Sequence, residues 1–550
     1  MTSRPTEPGK GSYDSHRVQP RWFLSPEERG NPSTGIDENK PAGEAWTDGN
    51  HAEALVEGAA YFSRLAETLA KMEPGDLLYF TDWRGDADQK LAPTGPDVGD
   101  VFASLARRGV EVRGLVWRSH SDRLAMSAAE NRELAAEICR AGGEALLDER
   151  VRRGGSHHQK MVVIHREEAS GADDVAFVGG IDLCHGRRDD SSHKGDPQSW
   201  EMNPRYGPTP AWHDVQLSLR GPAVGDLSYS FRERWEDPTP LSHRNPLRAG
   251  LSRLSGRKRV ASGLPEARLA PEALGPHSVQ VLRSYPRRSL PYPFAPNGER
   301  SVARAYAKAF SQARRLVYIE DQYLWWRAPA EALAAALRNN PELLVIAVLP
   351  RFPDIDGRLS RPPALLAQGS ALRLLKEAGG DRFLPFDLEN GSGWPIYVHA
   401  KVCIVDDVWA AIGSANLNMR SWTHDSELSV AVLDETLDDR QPLDPGGMGD
   451  GARCFARNLR LRLWSEHLGL PPDDERLVDP AAAVALWKER ADQLASWKRA
   501  TMGRGRPASR VGYHRPPSVG RLTRLWAEPL LASVFDPDGR PRKLRRSGSL

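Results

Sequence analysis

The sequence predicts an α/β protein built from two similar domains, each a mixed, mostly parallel sheet flanked by helices, with one shared active site at their interface. Three observations predict it. His158-Gln-Lys160 recurs as His399-Ala-Lys401, and each copy leads into an apolar strand. Strands alternate with helical stretches in both halves, the pattern of a sheet covered on both faces. The element order also repeats at nearly constant spacing: Tyr79 to His158 is 79 positions (158 − 79) and Tyr318 to His399 is 81 (399 − 318).

Residues 1–45 are rich in Pro, Gly and charge and read as an extended arm, with Arg21-Trp22-Phe23-Leu24 as an apolar hook packing on the first domain. The first domain is expected over 46–237. Apolar residues at helical spacing from His51 to Met72 predict a helix. The strand Leu77–Phe80 follows, then a helix Val98–Arg108 with Asp97 placed to cap it, a strand Glu111–Trp117 and a helix Leu124–Ala141. Pro238 to Gly275 is the linker. The second domain, 276–470, repeats the order: helix Ser301–Arg314, strand Leu316–Ile319, helix Ala328–Arg338, strand Leu343–Leu349, helix Ala364–Ala378, then the second H-x-K. Residues 471–550 read as a C-terminal helix and a basic tail without periodicity beyond Ala500, solvated or held electrostatically on anionic lipid.

A net charge of +2 gives no global field for nucleic acid. The four cysteines are scattered, which favours reduced thiols over a disulfide frame. The first residues carry no apolar run of a signal peptide, and no segment approaches the ~20 apolar residues that span a bilayer. The expectation is a cytoplasmic protein, peripheral on the inner membrane face.

On a regular strand His399 and Lys401 share a face and Asp406 takes the other. An imidazole beside an ammonium, with Gly413-Ser414 and Asn416 arriving behind, suits a phosphate better than a metal, whose ligand shell has no place for a lysine. His157, His185, His193, His213 and His424 crowd the motifs, but their spacing matches no zinc pattern, and they read as site walls or surface groups. The repeat aligns Asp214-Val-Gln-Leu-Ser-Leu219 with Glu427-Leu-Ser-Val-Ala-Val432, nominating Asp214 and Glu427 as the carboxylates that orient the two histidines. Asp425 is a rival. The simplest assignment gives each histidine the carboxylate of its own half.

On these residues the sequence resembles the phospholipase D superfamily, whose mark is H-x-K-x4-D twice per active unit. The second copy is complete with Asp406; the first has His165 where the family has Asp. Gly179-Gly-Ile-Asp-Leu183, Gly186-Arg187, Trp212-His-Asp214, Tyr318-Ile-Glu-Asp-Gln-Tyr323 and Gly413-Ser-Ala-Asn-Leu-Asn-Met-Arg-Ser421 extend the resemblance over roughly Trp22–Leu468, closer to phosphatidylcholine-type enzymes than to the short nucleases. It implies cleavage of a glycerophospholipid such as phosphatidylcholine to phosphatidate and alcohol, or transfer to another alcohol, through a phosphohistidine on His158 with His399 as general acid/base. Lys160 and Lys401 cancel the phosphate charge. Gly180, Ser414, Asn416 and Gln322 are the expected substrate contacts. No cofactor or metal is required. The expected partners are the phospholipid and a membrane surface, with no nucleic acid, and the chain acting as a monomer with internal pseudo-twofold symmetry. The alternatives are a cardiolipin synthase-like transferase, a nuclease of the same superfamily, or a non-catalytic lipid-binding relative. The turn Arg166–Asp174 is the expected source of a substitute for the missing Asp.

Overall fold

The computed structural model describes residues 17–550 except 39, 119–127, 168–170, 201, 242–260, 269, 355–356, 501–504 and 516–517. The start of the arm, the middle of the linker, Arg504 and the first residues of the expected helix from Leu124 lie outside the described residues.

Each half contributes one wing of a continuous sheet. In the first half the strands are β1 Thr47–Val56, β2 Leu77–Asp82, β3 Glu111–Trp117, β4 Glu144–Asp148, β5 Met161–His165, β6 Val175–Gly179, β7 Ala211–His213 and β8 Val215–Arg220. In the second they are β9 His277–Tyr285, β10 Glu299–Arg300, β11 Leu316–Asp321, β12 Leu344–Val348, β13 Phe383–Leu388, β14 Ile396–Val398, β15 Lys401–Val405, β16 Trp409–Gly413, β17 Glu427–Asp434 and, near the C-terminus, β18 Val511–Tyr513. The sheet order is β4-β3-β2-β5-β6-β8-β1, then β9-β17-β16-β15-β11-β12-β13-β18. The second run mirrors the first about the β1–β9 contact, where Thr47 faces Val279 and Asn50 faces His277. Parallel ladders occupy β2-β3-β4 and β11-β12-β13, where helices cross over between strands. β5 and β15 pair antiparallel on both sides, β5 with β2 and β6 and β15 with β11 and β16.

Strand parity sorts the cores. Met161 and Val163 of β5, with Val402 and Ile404 of β15, enter one apolar cluster that runs through both halves. Val162 and Ile164 face a cluster private to the first half; Cys403 and Val405 face one private to the second. The shared cluster therefore fixes the two wings relative to each other. All four cysteines are free thiols.

Several expectations change. Residues 51–56 belong to β1, and the helix starts only at Gly58, after Glu57 at φ 73°. Leu55, which stood at helical spacing from Ala59 and Phe62, is instead buried beside Val56 at the end of β1. Asp97 makes no side-chain cap; its carboxylate accepts from Lys90 Nζ at 2.9 Å. The arm is not simply extended: Gln19–Trp22 and Pro26–Arg29 are short helices, the second closed by a capping box between Ser25 and Glu28. Its hook packs on the second half rather than the first. Trp22, Phe23 and Leu24 join the cluster around Val302, Tyr306 and Phe310, and Trp22 Nε1 donates to Asp450 at 3.1 Å. Beyond Ala500 the chain is built into the fold, with β18 on the sheet edge and a helix Arg521–Leu530.

Candidate active site

The two H-x-K motifs do not lie on single regular strands. β14 ends at Val398 and β15 begins at Lys401, so His399 and Ala400 occupy the step between two sheets. β14 pairs in parallel with β7 of the other half, Val398 opposite His213. The His399 and Ala400 N–H groups both donate to the His213 carbonyl, at 2.8 and 3.2 Å. The first motif mirrors this with a bridge between His157 and Ser426, and the His158 N–H donates to the Ser426 carbonyl at 2.9 Å. Each histidine is thus hung on the backbone just ahead of the other half's carboxylate.

The consequence corrects the simplest assignment. His158 Nδ1 lies 2.8 Å from Glu427 Oε2, and His399 Nδ1 lies 2.6 Å from Asp214 Oδ2. The carboxylates are exchanged across the interface. Asp425, the rival, instead accepts from the Ser156 N–H and pairs with Arg420. Neither Nε2 has a protein hydrogen-bond partner among the described residues, so each ring presents one nitrogen for chemistry once its carboxylate fixes the tautomer.

The lysines of the two halves lie within electrostatic reach of each other. Lys160 Nζ donates to the His158 carbonyl at 3.0 Å and lies 3.4 Å from Asp182. Lys401 Nζ donates to the His399 carbonyl and, at 3.3 Å, to Gln322 Oε1, while Gln322 Nε2 donates to the Tyr397 hydroxyl at 2.7 Å. Burial pulls Lys401 down to about 8, against the pull of Asp214; the cation of Lys160 from the other half adds to the lowering. Burial, then Lys401 and Arg187, hold the His399 imidazole well below its usual range. Burial also raises Asp214, opposed first by Lys401.

Gly180 and Ser414, expected to face substrate, instead face the carboxylates behind the histidines. Ser414 Oγ donates to Glu427 Oε2 at 2.6 Å and accepts the Leu428 N–H at 3.0 Å. A Cβ at Gly180 would fall 2.2 Å from Asp214 Oδ1, so only glycine leaves room for that carboxylate. Gln322 orients Lys401 and Tyr397. Asn416 Oδ1 is buried without a hydrogen-bond partner among the described residues; its amide N–H groups, not this oxygen, are the ones able to donate to a phosphate oxygen.

Residues outside the expected set complete the site. Asp182 occupies in the first half the place of Asn416 in the second, and the offset from Gly179 and Gly413 in the repeat was the signal for it. Against burial, Lys160 keeps Asp182 ionised, while burial and the neighbouring Asp182 push Asp82 well up. Asp82 and Asp321 brace the two turns alike, accepting the Leu183 and Leu417 N–H groups at 2.7 and 2.9 Å. Arg187 lies over the Trp212 ring at 3.9 Å, and that ring packs 4.9 Å from His399. Trp83 stands edge-on to His158 at 6.1 Å. A separate cavity of about 320 Å³, bounded by Arg205, Arg351, Phe352, Arg361 and Arg515, contains neither motif histidine.

His165 resolves into a local exchange of anchors. Asp406, at φ 51° in the turn after β15, accepts the Arg314, Arg315 and Leu316 N–H groups at 2.7–2.8 Å and ties that turn to the start of β11. In the first half Asp76, ahead of β2, reaches the other way and accepts the Glu167 and Glu73 N–H groups, both at 2.8 Å. His165 Nδ1 pairs with Asp174 at 2.6 Å, and Asp174 accepts the Arg166 N–H at 2.8 Å. The turn supplies a carboxylate, and a second one comes from ahead of β2.

His193 and His213 are neither walls nor surface groups. His213 bridges Glu57 and Glu320, the latter at 2.8 Å; His467 Nε2 meets Glu320 at 2.7 Å, and His193 Nε2 meets Glu466 at 2.9 Å. This buried imidazole–carboxylate ladder crosses the interface directly behind Asp214. By ligand type Glu57, His193, His213 and Glu466 could hold a metal ion, their donor atoms lying within 4.8 Å of one another. Both ring nitrogens of His193 and of His213 are already hydrogen-bonded, which suits an ion-pair ladder better than a metal shell.

Comparison with known proteins identifies the family. The phospholipase D family model matches residues 75–328 and 388–503, more than half of the chain, and the cardiolipin synthase, phospholipase D-like domain matches 306–440. The chain is 25% identical over 543 residues to phospholipase D alpha 2 of Arabidopsis thaliana, covering 75% of this chain and 64% of that protein. It is 27% identical over 402 residues to phospholipase D1 of Schizosaccharomyces pombe, covering 58% and 28%. Among solved structures, phosphatidylserine synthase of Haemophilus influenzae Rd KW20 aligns with a TM-score of 0.45 at 15% identity, covering 70% of this chain and 82% of that one. The chain spans less than two thirds of the length of these two phospholipase D relatives.

Proposed function

Because this chain belongs to the phospholipase D family, we propose that it cleaves the headgroup phosphodiester of glycerophospholipids such as phosphatidylcholine, to phosphatidate and an alcohol, with transfer to a second alcohol as the competing outcome. The observation that carries the reading is the pair of imidazoles, each held at Nδ1 by the other half's carboxylate and each beside a lysine. That arrangement offers a nucleophile, a proton donor and two cations to one phosphorus atom.

In the first step His158 Nε2 attacks phosphorus and the ester bond to the headgroup oxygen breaks. His399 gives that oxygen a proton, and Lys160, Lys401 and Asn416 receive the non-bridging oxygens. In the second step His399 takes a proton from water or an alcohol, which displaces His158 and regenerates the free imidazole. Trp83, half-buried beside His158, supplies an aromatic wall for a cationic headgroup.

One observation favours the exchanged roles. Burial, Lys401 and Arg187 keep resting His399 neutral, which suits a nucleophile; acting as the acid it must gain its proton as the anionic substrate arrives. Choline release and phosphatidylalcohol formation on phosphatidylcholine vesicles, beside single-stranded DNA, test the substrate class. DNA cleavage without choline release would overturn it. Labelled phosphoenzyme quenched in alkaline detergent, where a phosphohistidine survives, tests the roles: it should vanish in His158→Ala and persist in His399→Ala with an activated leaving group, and the reverse pattern exchanges them.

A further inference from the structure

The chain beyond Ala500 is fastened around the rim of the site. Leu531 and Phe535 pack with Trp325, Ala364 and Ala367, setting the helix Arg521–Leu530 on the helix Arg361–Gly379. The Arg420 N–H donates to Asp536 at 2.8 Å and the Gly539 N–H to Thr423 Oγ1 at 2.8 Å. Arg152, on the segment leading to His158, donates to the Gly539 carbonyl at 2.5 Å. Arg420 and Thr423 follow the Asn416 turn. The C-terminal segment therefore touches the loops of both half-sites.

Its helix buries Ala527 and turns a different stripe outward. Leu522 is 82%, Leu525 75% and Trp526 41% exposed. These positions are i, i+3 and i+4, one face of a helix. Leu359, just ahead of the supporting helix, is 69% exposed, and Val534 is 52% exposed in the turn after the ridge. Arg521 and Arg524 are exposed on the same helix, and from residue 515 onward Glu528 is the one exposed side-chain carboxylate among the described residues. Leucine and tryptophan on one face with arginines on the adjoining flank is the composition of a helix lying in a lipid interface. The stripe's neighbours also bind the loops that carry the candidate site.

We propose that the helix Arg521–Leu530 is a bilayer-docking ridge, with Leu522, Leu525 and Trp526 entering the acyl boundary and Arg521 and Arg524 meeting anionic headgroups. The docking rests on the surface itself; its use, presenting substrate to the crevice, rests on the phospholipase reading above. The test is sedimentation of the full chain with vesicles of phosphatidylcholine, with and without phosphatidylglycerol, beside turnover of a short-chain phosphodiester kept monomeric. Leu522→Ser, Leu525→Ser and Trp526→Ser combined should lower partitioning by roughly tenfold or more and leave monomeric turnover unchanged. Arg521→Gln with Arg524→Gln should weaken binding only where phosphatidylglycerol is present. Brominated acyl chains should quench wild-type fluorescence, and part of that quenching should be lost in Trp526→Phe. Equal partitioning of the serine variant and the wild type, or no vesicle binding by the wild type, overturns the proposal. A chain that turns over no phosphodiester but loses vesicle binding with the ridge upholds it and overturns the catalytic reading instead.

Discussion

Asp214→Asn tests the exchange of carboxylates across the interface. The substitution keeps size and one acceptor, so the 2.9 Å bond from the Val215 N–H survives. It removes the charge 2.6 Å from His399 Nδ1. A hydrogen bond to a charged partner contributes about 1.5–3 kcal/mol, or roughly 10–150-fold in rate. An amide nitrogen turned toward Nδ1 also favours the wrong tautomer, bringing the total to about 10²–10⁴ in the step that His399 serves. Glu427→Gln should act equally on the step of His158, and it also disturbs Ser414, 2.6 Å away. The assay is rapid quench with a p-nitrophenyl ester, resolving phosphoenzyme formation from breakdown in both variants and in His158→Ala and His399→Ala. Asp214→Asn should slow the same step as the His399 variant, and Glu427→Gln the same step as the His158 variant. Asp214→Asn behaving like the His158 variant would mean that each half serves itself, and the reasoning would fail.

Restoring the family residue by His165→Asp should destabilise the protein, because it removes the partner of Asp174 at 2.6 Å and sets two buried carboxyls together; thermal denaturation should show a loss on the order of 3 kcal/mol. Asp406→Ala leaves the Arg314, Arg315 and Leu316 N–H groups without an acceptor and should cost about 3 kcal/mol or more in denaturant unfolding, with Asp406→Asn recovering part. In the proposed mechanism Lys401 acts as a cation, and burial holds it at about 8. It is charged below that value and neutral above it, so kcat/KM should fall as pH rises through about 8, and Lys401→Arg should lose that limb while lowering the plateau.

The internal repeat, the paired motifs and the carboxylates at the heads of matching strands were all readable along the chain, because each is a local pattern of spacing and chemistry. Alternation along a strand also separates Val162 from Val163, and Val402 from Cys403, onto the opposite cores the fold shows. What parity could not say is which distant strand stands opposite. The motif histidines sit in the step between two sheets, and β7 pairs with β14 across the interface, so only the assembled fold decided that Asp214 meets His399 and Glu427 meets His158. The same limit explains Asp76, whose carboxylate lies 91 positions from the Glu167 N–H it accepts, the Trp22 hook on the second half, and a C-terminus that looked like a solvated tail. Short-range periodicity records a residue's own element; contacts closed over such distances are set by the packing of whole wings against a shared apolar core, which no local window contains.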